Sequence, residues 1–590
     1  MCRIAGVINQ SIALSSVEVM VKEMCQLLQH GGPDGQGIYI SKENNFVLGH
    51  RRLSLIDLSS NGNQPMPYAN NRYYISYNGE LYNYLQLKEE LKKAGCCFTS
   101  QSDTEVILAA FATWGTKAFE RFNGMFAFAL FDTTTNDVFL VRDSIGMKPL
   151  YYANTKEGLV FASEIKAFQV IPYLQQKNNI AEVYLMAYGH LPEPITTLKD
   201  VKPLEKGNWL KYHIPSATIE IDVFKQYSYF EKIDNRGEAI KYIKRNLNDA
   251  VQKHLLSDAP IGVFLSGGLD SSIVTLLANK THRDLKTVSI FFNDKNYSEK
   301  KYQDLLQQGL PFEQHQYLVT PDDFHDNLST IIDAMDLPSC DGINTWFISK
   351  YAKENGLKAM LSAVGGDELY GGYPSFDRMK ASILLQKLPN KVLRAGANAS
   401  SKKIRRMPYL SIDGIVGKYL FLRGQFVPSE IAKYLNADES EIWKILEEEP
   451  LVKNIDYLTA GNQASWMECN LYMQNQLLRD TDVMSMAHGV EIRLPFLDVP
   501  FMNLSLQISS ALKYKGNIRK KLLIDSFKDI LPEPIWNRPK MGFAFPFKEW
   551  LGDDRYVKSR NGKYMGEYLA KMRTGQIHWS QFFTLLLIEK

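Results

Sequence analysis

The chain begins MCRIAGVINQ, with a cysteine in second place. Removal of Met1 would leave Cys2 carrying a thiol and a free α-amine on one carbon. Such groups ordinarily titrate near about 8.5 and about 8, so both exchange protons close to neutrality. One residue could then supply nucleophile and base. A second reactive string, SGGLDSS (266–272), follows the apolar run PIGVFL (260–265). Gly267 and Gly268 let backbone N–H groups approach an anion, and Ser266, Ser271 and Ser272 add hydroxyl donors. A helix starting there would point its positive end at the same spot, which makes a phosphate cradle. No lysine follows the glycines, so this is not the G-x-x-x-x-G-K-[ST] loop. Asp270 stands inside the cradle instead, and an acid beside phosphates requires an intervening cation, which implies Mg²⁺. A third string, LSAVGGDELYGGY (361–373), again sets glycines after an apolar run, with Asp367 and Glu368 among them. Each string alone has a plainer reading, as a chance cysteine or a glycine turn before a capped helix.

These residues need elements to hold them. CRIAGVI, YYISYN (73–78), GMFAFALFD (124–132) and DVFLVR (137–142) have strand composition. SVEVMVKEMCQLLQ (16–29) and DTEVILAAFATW (103–114) have helical spacing, and Asp103 and Thr104 suit a helix start. Strand runs followed by helices fit a layered α+β domain. The stretch 190–210, with its prolines and turn residues, reads as a linker, so domains are expected over 2–205 and 206–590. Beyond it, strands at 260–265, 285–292, 312–319 and 357–362 alternate with helices at 270–280, 299–309 and 321–335. That alternation predicts an α/β doubly wound parallel sheet, with ligands beyond the carboxyl ends of its strands. Both glycine strings leave that edge, so Asp270 and Asp367 could share one Mg²⁺. From about 376 the pattern is mainly helical, and MECNLYMQNQLL (467–478) reads as core.

Composition narrows the function. At 590 residues the chain exceeds one core. A net charge of +3 implies neither nucleic acid nor an acidic membrane as partner. The basic run SKKIRR (401–406) and the acidic run DESEIWKILEEE (438–449) read as solvated faces. Six scattered cysteines without a C-x-x-C pattern point to a reducing compartment without structural zinc. The N-terminus lacks a signal-peptide pattern, and FFTLLLI (582–588) is too short to span a bilayer, so the expected setting is cytoplasmic.

SGGLDSS resembles the pyrophosphate loop of the N-type ATP pyrophosphatases. With Cys2 beside it, the chain resembles the asparagine synthetase family, glutamine-hydrolysing class II amidotransferases, over nearly its whole length. The resemblance rests on MCRIAGV, GGPDG (31–35), HRRLSLIDLS (50–59), NQPM (63–66), YNGELYN (77–83), SDTEVIL (102–108) and RDSIGMKPLYY (142–152) in the front half. In the back half it rests on SGGLDSS, GGDELYGGY (365–373), DVMSMAHGVEIRLPFLD (482–498) and RPKMGF (538–543). It implies an N-terminal Ntn-hydrolase (αββα) domain, then an ATP-pyrophosphatase domain with a helical C-terminal part. Cys2 would attack the side-chain amide of glutamine, giving a thioester and ammonia. Asn78 and Gly79 look like the oxyanion hole, Arg51 the clamp on the glutamine carboxylate, and Glu80 and Asp103 the acids that hold its α-ammonium. In the second half Phe264, Ser266, Gly267, Gly268, Asp270, Ser271, Ser272, Ile290, Ser362 and Ala363 would bind ATP or pyrophosphate, the backbone of Ser362 reading adenine. Asp270 and Asp367 would hold Mg²⁺, and Lys540 would neutralise charge as pyrophosphate leaves. His50 and His488 are read as structural. The resemblance suggests a homodimer, and an ammonia tunnel between the sites.

The chain departs from the family pattern in places. Val364 stands where asparagine-forming relatives usually carry an acid, and Ala363 where glycine is common. Gly32 replaces a frequent arginine, and Arg3 a frequent glycine or serine. Val364 bears on the acceptor: aspartate, or another carboxylate such as a uronic acid of a surface polysaccharide or a secondary metabolite. Two further readings are a bare glutaminase and a non-enzymatic nucleotide binder.

Overall fold

The computed structural model describes residues 2–589 apart from 283, 309, 311, 397–401, 449–453, 543, 554, 555 and 557–564. Met1, Ser401 of the basic run, Glu449 of the acidic run and Phe543 of RPKMGF lie outside the described residues.

The front half is a four-layer sandwich. One six-stranded sheet has the order β10-β8-β9-β1-β3-β2 and the other β12-β11-β7-β6-β5-β4. Their strands are β1 (Arg3–Asn9), β2 (Gly35–Ser41), β3 (Phe46–Arg52), β4 (Met66–Tyr68), β5 (Tyr73–Leu81), β6 (Gly124–Asp132), β7 (Asp137–Arg142), β8 (Tyr151–Thr155), β9 (Gly158–Ala162), β10 (Lys202–Pro203), β11 (Asn208–His213) and β12 (Thr218–Val223). All pairings within these two sheets are antiparallel. Alternation builds the layers. In β6, Ala127, Ala129 and Phe131 meet Ile4, Ile8, Phe46 and Leu48 of the facing sheet. Phe126, Phe128 and Leu130 turn outward onto α3 (Asp103–Trp114), beside α2 (Tyr84–Lys93). On the other side Ala5, Val7 and Val47 pack under α1 (Leu14–Leu27). Hence β6 is buried along its whole length. The Ser102 side chain caps α3 by accepting the Thr104 N–H, one residue ahead of the expected start.

The linker expected at 190–210, just after α4 (Ala181–Tyr188), does not end this half. β11 pairs with β7, and β12 with β11, so the sheet keeps the chain through Val223 and past the expected break at 205. Local composition marks the loop but not the long-range pairing beyond it.

The back half opens with α5 (Arg236–His254) and carries one parallel sheet, ordered β15-β14-β13-β16-β17. Its strands are β13 (Ile261–Phe264), β14 (Lys286–Phe291), β15 (Glu313–Leu318), β16 (Ala359–Leu361) and β17 (Glu491–Arg493). The helices α6 (Leu269–Asn279), α7 (Lys300–Gln307) and α8 (Pro321–Ala334) alternate with the strands as expected, and a further helix, α9 (Ile343–Glu354), stands between α8 and β16. β17 was not foreseen, being three residues long and far along a helical stretch. Strand order reverses between β13 and β16, the switch point where doubly wound sheets bind ligands. The described residues beyond 376 are mostly helical. In Glu468–Leu478, a π-helical stretch, Cys469, Leu471, Met473 and Leu478 are core, while Gln474, Asn475 and Gln476 are buried polar groups. One apolar core runs from α1 in the sandwich to the final helix, Trp579–Ile588.

Candidate active sites

Cys2 leads into β1 and is buried. Its N–H donates to Asn78 Oδ1 (3.2 Å), and its Sγ lies 3.9 Å from the Leu53 carbonyl. Burial pushes the thiol pKa up, and the Arg52 charge pulls against that. Asn78 Nδ2 is buried without a hydrogen-bond partner, as befits a donor kept for an oxyanion. Gly79 is demanded by β6: a Cβ there would lie 2.2 Å from the Met125 carbonyl oxygen. Arg51, on β3, donates from Nε to the Gly32 carbonyl (3.1 Å) and from NH1 to Gln36 Oε1 (2.9 Å). Asp103, at the start of α3, accepts from Tyr77 Oη and the Leu81 N–H, both at 3.0 Å. Asn78 and Glu80, two apart on β5, share a strand face. Glu80 is not left open: its Oε2 meets Arg493 NH2 of the back half at 2.7 Å. His50, bonded to Ser76 Oγ at 2.9 Å, is held near pKa 3 by burial and nearby arginines, so it stays neutral.

Gly32 has no room for any side chain, since a Cβ would lie 2.3 Å from the Arg51 backbone. Its neighbour Gly31 faces the Arg3 side chain, whose Cγ would lie 2.7 Å from a Cβ at 31, so Arg3 fills that space. Fully buried, Arg3 pairs with Glu164 and, at 2.9 Å, with Asp482 of the back half. Glu164 also meets His30 (3.0 Å) and Lys166 (3.1 Å), and Asp482 meets Lys148 (3.3 Å).

The second site lies at the switch point. After β13, Gly267 takes φ +85°, a conformation glycine adopts freely, and Gly268 begins α6. Ser266 Oγ accepts the Gly268 N–H (3.2 Å) and bonds Ser271 Oγ (2.9 Å). Ser272 is fully buried with its hydroxyl donating to the Gly268 carbonyl (2.6 Å), so it secures the turn and does not face a phosphate. Phe264 ends β13, and the Ile290 carbonyl on β14 accepts from Gln303 Nε2 (3.1 Å). Ser362 and Ala363 follow β16, half-buried. The Ser362 N–H donates to the Arg493 carbonyl (2.9 Å). Asp270 and Asp367 do converge. Lys520 Nζ bridges the two carboxylates, and Lys540 Nζ joins Asp367 at 2.7 Å. Burial pushes Asp367 up, but Lys520 and Lys540 outweigh it and hold it near pKa 2. Glu368, following in α10 (Gly366–Tyr370), is raised to about 7 by burial and by Asp367.

Asp270 Oδ1 is buried without a hydrogen-bond partner, and both carboxylates reach one cation, so the pair fits a divalent ion completed by substrate oxygens. Two residues of this site escaped the sequence reading. Lys520 has φ +55°, rare for a side-chain-bearing residue, and no motif announced it. Arg538 lay inside RPKMGF without a role. It donates from NH2 to the Gly267 carbonyl (2.9 Å), stacks on Tyr302 (3.6 Å) and keeps a buried, unpaired NH1. His488, edge-on to Trp346 at 4.6 Å, makes a structural contact.

Fold and sites thus define a two-part chain, a four-layer antiparallel sandwich with a buried Cys2 ahead of a parallel-sheet half whose glycine loops meet at the switch point. Family models divide it the same way: residues 1–227 match the glutamine amidotransferase domain, and residues 242–572 match asparagine synthase. The chain belongs to the asparagine synthase family. It is 30% identical to asparagine synthetase [glutamine-hydrolyzing] 1 of Bacillus subtilis, over 95% of this chain and 89% of that protein. A putative asparagine synthetase [glutamine-hydrolyzing] of Mycobacterium tuberculosis is 29% identical over 89% and 84%. Amidase chry2 of Gibberella zeae is 26% identical over 90% and 86%.

Proposed function

We propose that the chain is a glutamine-hydrolysing, ATP-dependent amidotransferase that converts a carboxylic acid to its amide. The observation that carries this reading is the meeting of Asp270 and Asp367 around the Lys520 ammonium at the switch point, in a chain that also buries Cys2 against Asn78. In the sandwich, the freed amine of Cys2 takes the thiol proton and sulfur attacks the amide carbon of glutamine. The C–N bond breaks, ammonia leaves, and water hydrolyses the thioester to glutamate. Asn78 Nδ2 and the Gly79 N–H serve the oxyanion, Arg51 the α-carboxylate, and Asp103 and Glu80 the α-ammonium. In the sheet half, the acceptor carboxylate attacks the α-phosphorus of ATP and pyrophosphate leaves. Ammonia then attacks the acyl carbon and AMP leaves. Lys520, Lys540 and Arg538 offset the polyphosphate charge. Bound Mg²⁺ would be held by Asp270 and Asp367 and would supply further charge neutralisation. Ammonia in water is largely ammonium and a poor nucleophile, so transfer runs through a passage between the halves that excludes solvent.

Aspartate is the first acceptor to test. Half-buried Val364 sets an apolar side chain in the loop beside Asp367, which keeps uronic acids as the second class. AMP and pyrophosphate are followed with glutamine, ATP, Mg²⁺ and each acceptor in turn. Release with one of them supports the reading, and no AMP with any carboxylate sinks it. With that acceptor, Cys2→Ala is expected to lower glutamine-dependent synthesis at least ~100-fold while synthesis from added ammonia stays within about twofold. Loss of both in folded protein argues against separate sites.

A further inference from the structure

Three arginines converge beside the nucleotide loop, and the reaction as read above uses none of them. Arg423 closes the helix Gly414–Arg423. Its Nε donates to Glu468 Oε1 (3.1 Å) and its NH2 pairs with Glu468 Oε2 (2.7 Å), so one fork grips one buried carboxylate. Ser375, in the first turn of α11 (Pro374–Leu385), donates to the same Oε1. Arg378 stands one turn further along that helix. Beyond an Nε contact with the Pro374 carbonyl (3.3 Å), its guanidinium has no hydrogen bond among the described residues. Arg406 approaches through the backbone. Its NH1 donates to the carbonyls of Leu422 (3.3 Å) and Gly424 (3.0 Å), the two residues flanking Arg423. Arg406 ends the basic run 401–406, read from sequence as a solvated face, yet it is half-buried, as are Arg378 and Arg423.

Charge here is out of balance. The two acids that act on Arg378, Asp377 and Glu468, are each already held by another arginine, Arg519 in the first case and Arg423 in the second. Burial pushes the Arg378 guanidinium down and the Arg423 charge pushes it further, and burial and then Arg378 do the same to Arg406. Guanidinium groups crowded in this way, with N–H donors to spare, are matched by an anion with several acceptor oxygens. A carboxylate occupies one fork. A phosphate monoester brings nearly two charges and three acceptor oxygens, which suits a cluster.

Position links the cluster to the chemistry. The Tyr373 ring, in the string that carries Asp367, has the Arg423 guanidinium 4.8 Å from its centroid and Lys540 Nζ at the same distance. The Tyr373 hydroxyl donates to Glu368 (2.7 Å), which fixes the ring there. Tyr472 backs the Arg423 guanidinium from 3.6 Å. An acid whose carboxylate reacts beside Asp367 and Lys540 would reach the arginines with its far end.

We propose that Arg423, Arg378 and Arg406 form a second anion site, which holds a phosphate group on the carboxylic acid that the chain amidates. This rests on the amidotransferase reading above and narrows its acceptor to a phosphorylated acid, such as a uronic acid with phosphate on its anomeric carbon.

The probe is glucuronate 1-phosphate, compared with glucuronate and with inorganic phosphate. Each is titrated calorimetrically into the full chain saturated with Mg²⁺ and a non-hydrolysable ATP analogue. The phosphorylated acid should bind at least ~10-fold more tightly than either comparison compound, the worth of one or more charge-assisted hydrogen bonds. Arg378→Gln gives up only one backbone contact, and should weaken that ligand at least ~5-fold while glucuronate and analogue affinities stay within about twofold. Arg378→Lys, which keeps the charge without the fork, should fall between the two and serves if Arg378→Gln does not melt as a folded protein. Equal affinity for glucuronate and its phosphate, or undiminished affinity in a folded Arg378 variant, overturns the inference, while AMP release with another acid keeps the amidotransferase reading. Inorganic phosphate bound as tightly as the sugar phosphate also overturns it, because the site would then not read the acceptor. Tight, Arg378-dependent binding with no AMP from any carboxylate overturns the amidotransferase reading and the link to amidation, and keeps only the phosphate site.

Discussion

Asp103 illustrates how burial sets chemistry. Burial pushes its carboxyl up, the Leu81 N–H and Tyr77 hydroxyl hold it back, and it settles near pKa 6. The free carboxyl titrates near about 3.9, so the folded protein binds this proton more tightly than the unfolded chain. Asp103 therefore favours folding most below about 4, and loses that contribution as pH rises through about 6. In the role proposed for Asp103 function runs the opposite way, because only the anion can pair with an α-ammonium. The expected outcome is that kcat/KM for glutamine falls about tenfold per pH unit below about 6. Asp103→Asn should remove that limb and lower kcat/KM at neutral pH by about 10–100-fold, the worth of one charged hydrogen bond. A pH profile of both proteins checks this, and a limb unchanged in the variant assigns it to another group. Cys2, Asp103 and Asp270 were legible because they sit in strings whose residue types carry chemistry. Lys520 and Arg538 were not, because a lysine in a left-handed turn and an arginine under a loop gain their roles from what they meet in space.

The loops after β13 and β16 depend on glycine for close approach as much as on their acids. A Cβ at Gly366 would lie 2.7 Å from Asp270 Cγ, so Gly366→Ala must push that carboxylate aside. Since a side chain can yield more cheaply than backbone, the fold should survive. The apparent Mg²⁺ requirement for pyrophosphate release should rise about tenfold or more, the loss of about 1.4 kcal/mol of binding. A magnesium titration with a thermal melt checks it, and an unchanged requirement removes Asp270 from the metal site. Among the elements, helix and strand periodicity carried most of the assignment: α3 runs over the twelve residues expected, 103–114. It failed where pairing is non-local. β11 lies beyond a proline-rich loop yet returns to β7 and brings β12 with it, and β17 is too short for any period to show.

Each half reaches across to lock the other. Arg3 of the sandwich grips Asp482 of the helical part, and Arg493 of the parallel sheet grips Glu80 of the sandwich. Removing one partner of a buried pair leaves an uncompensated charge, at a cost of about 3–5 kcal/mol. Asp482→Asn leaves Arg3 and Lys148 short of an anion and should lower the melting temperature by roughly 5 °C or more. Scanning calorimetry of wild type and variant decides it, and a shift under about 1 °C would mean the pair adds no net stability. The same contact places the residue after Cys2 under the control of the distant half, so Asp482→Asn should also weaken glutamine hydrolysis without changing the residues of that pocket.

Read from its residues alone, the chain points to two chemistries, a thiol at Cys2 and a glycine-rich phosphate loop with an acid inside it, together with the layered and doubly wound folds that hold them. Those features are local: side-chain type, spacing and periodicity suffice to write them. Folding in three dimensions added the extension of the sandwich through Val223, the Lys520 bridge between two aspartates 97 positions apart, and the crossed arginine pairs between the halves. Each of these joins groups remote in sequence at ångström range, and only the packing of a shared core decides which buried charge meets which partner.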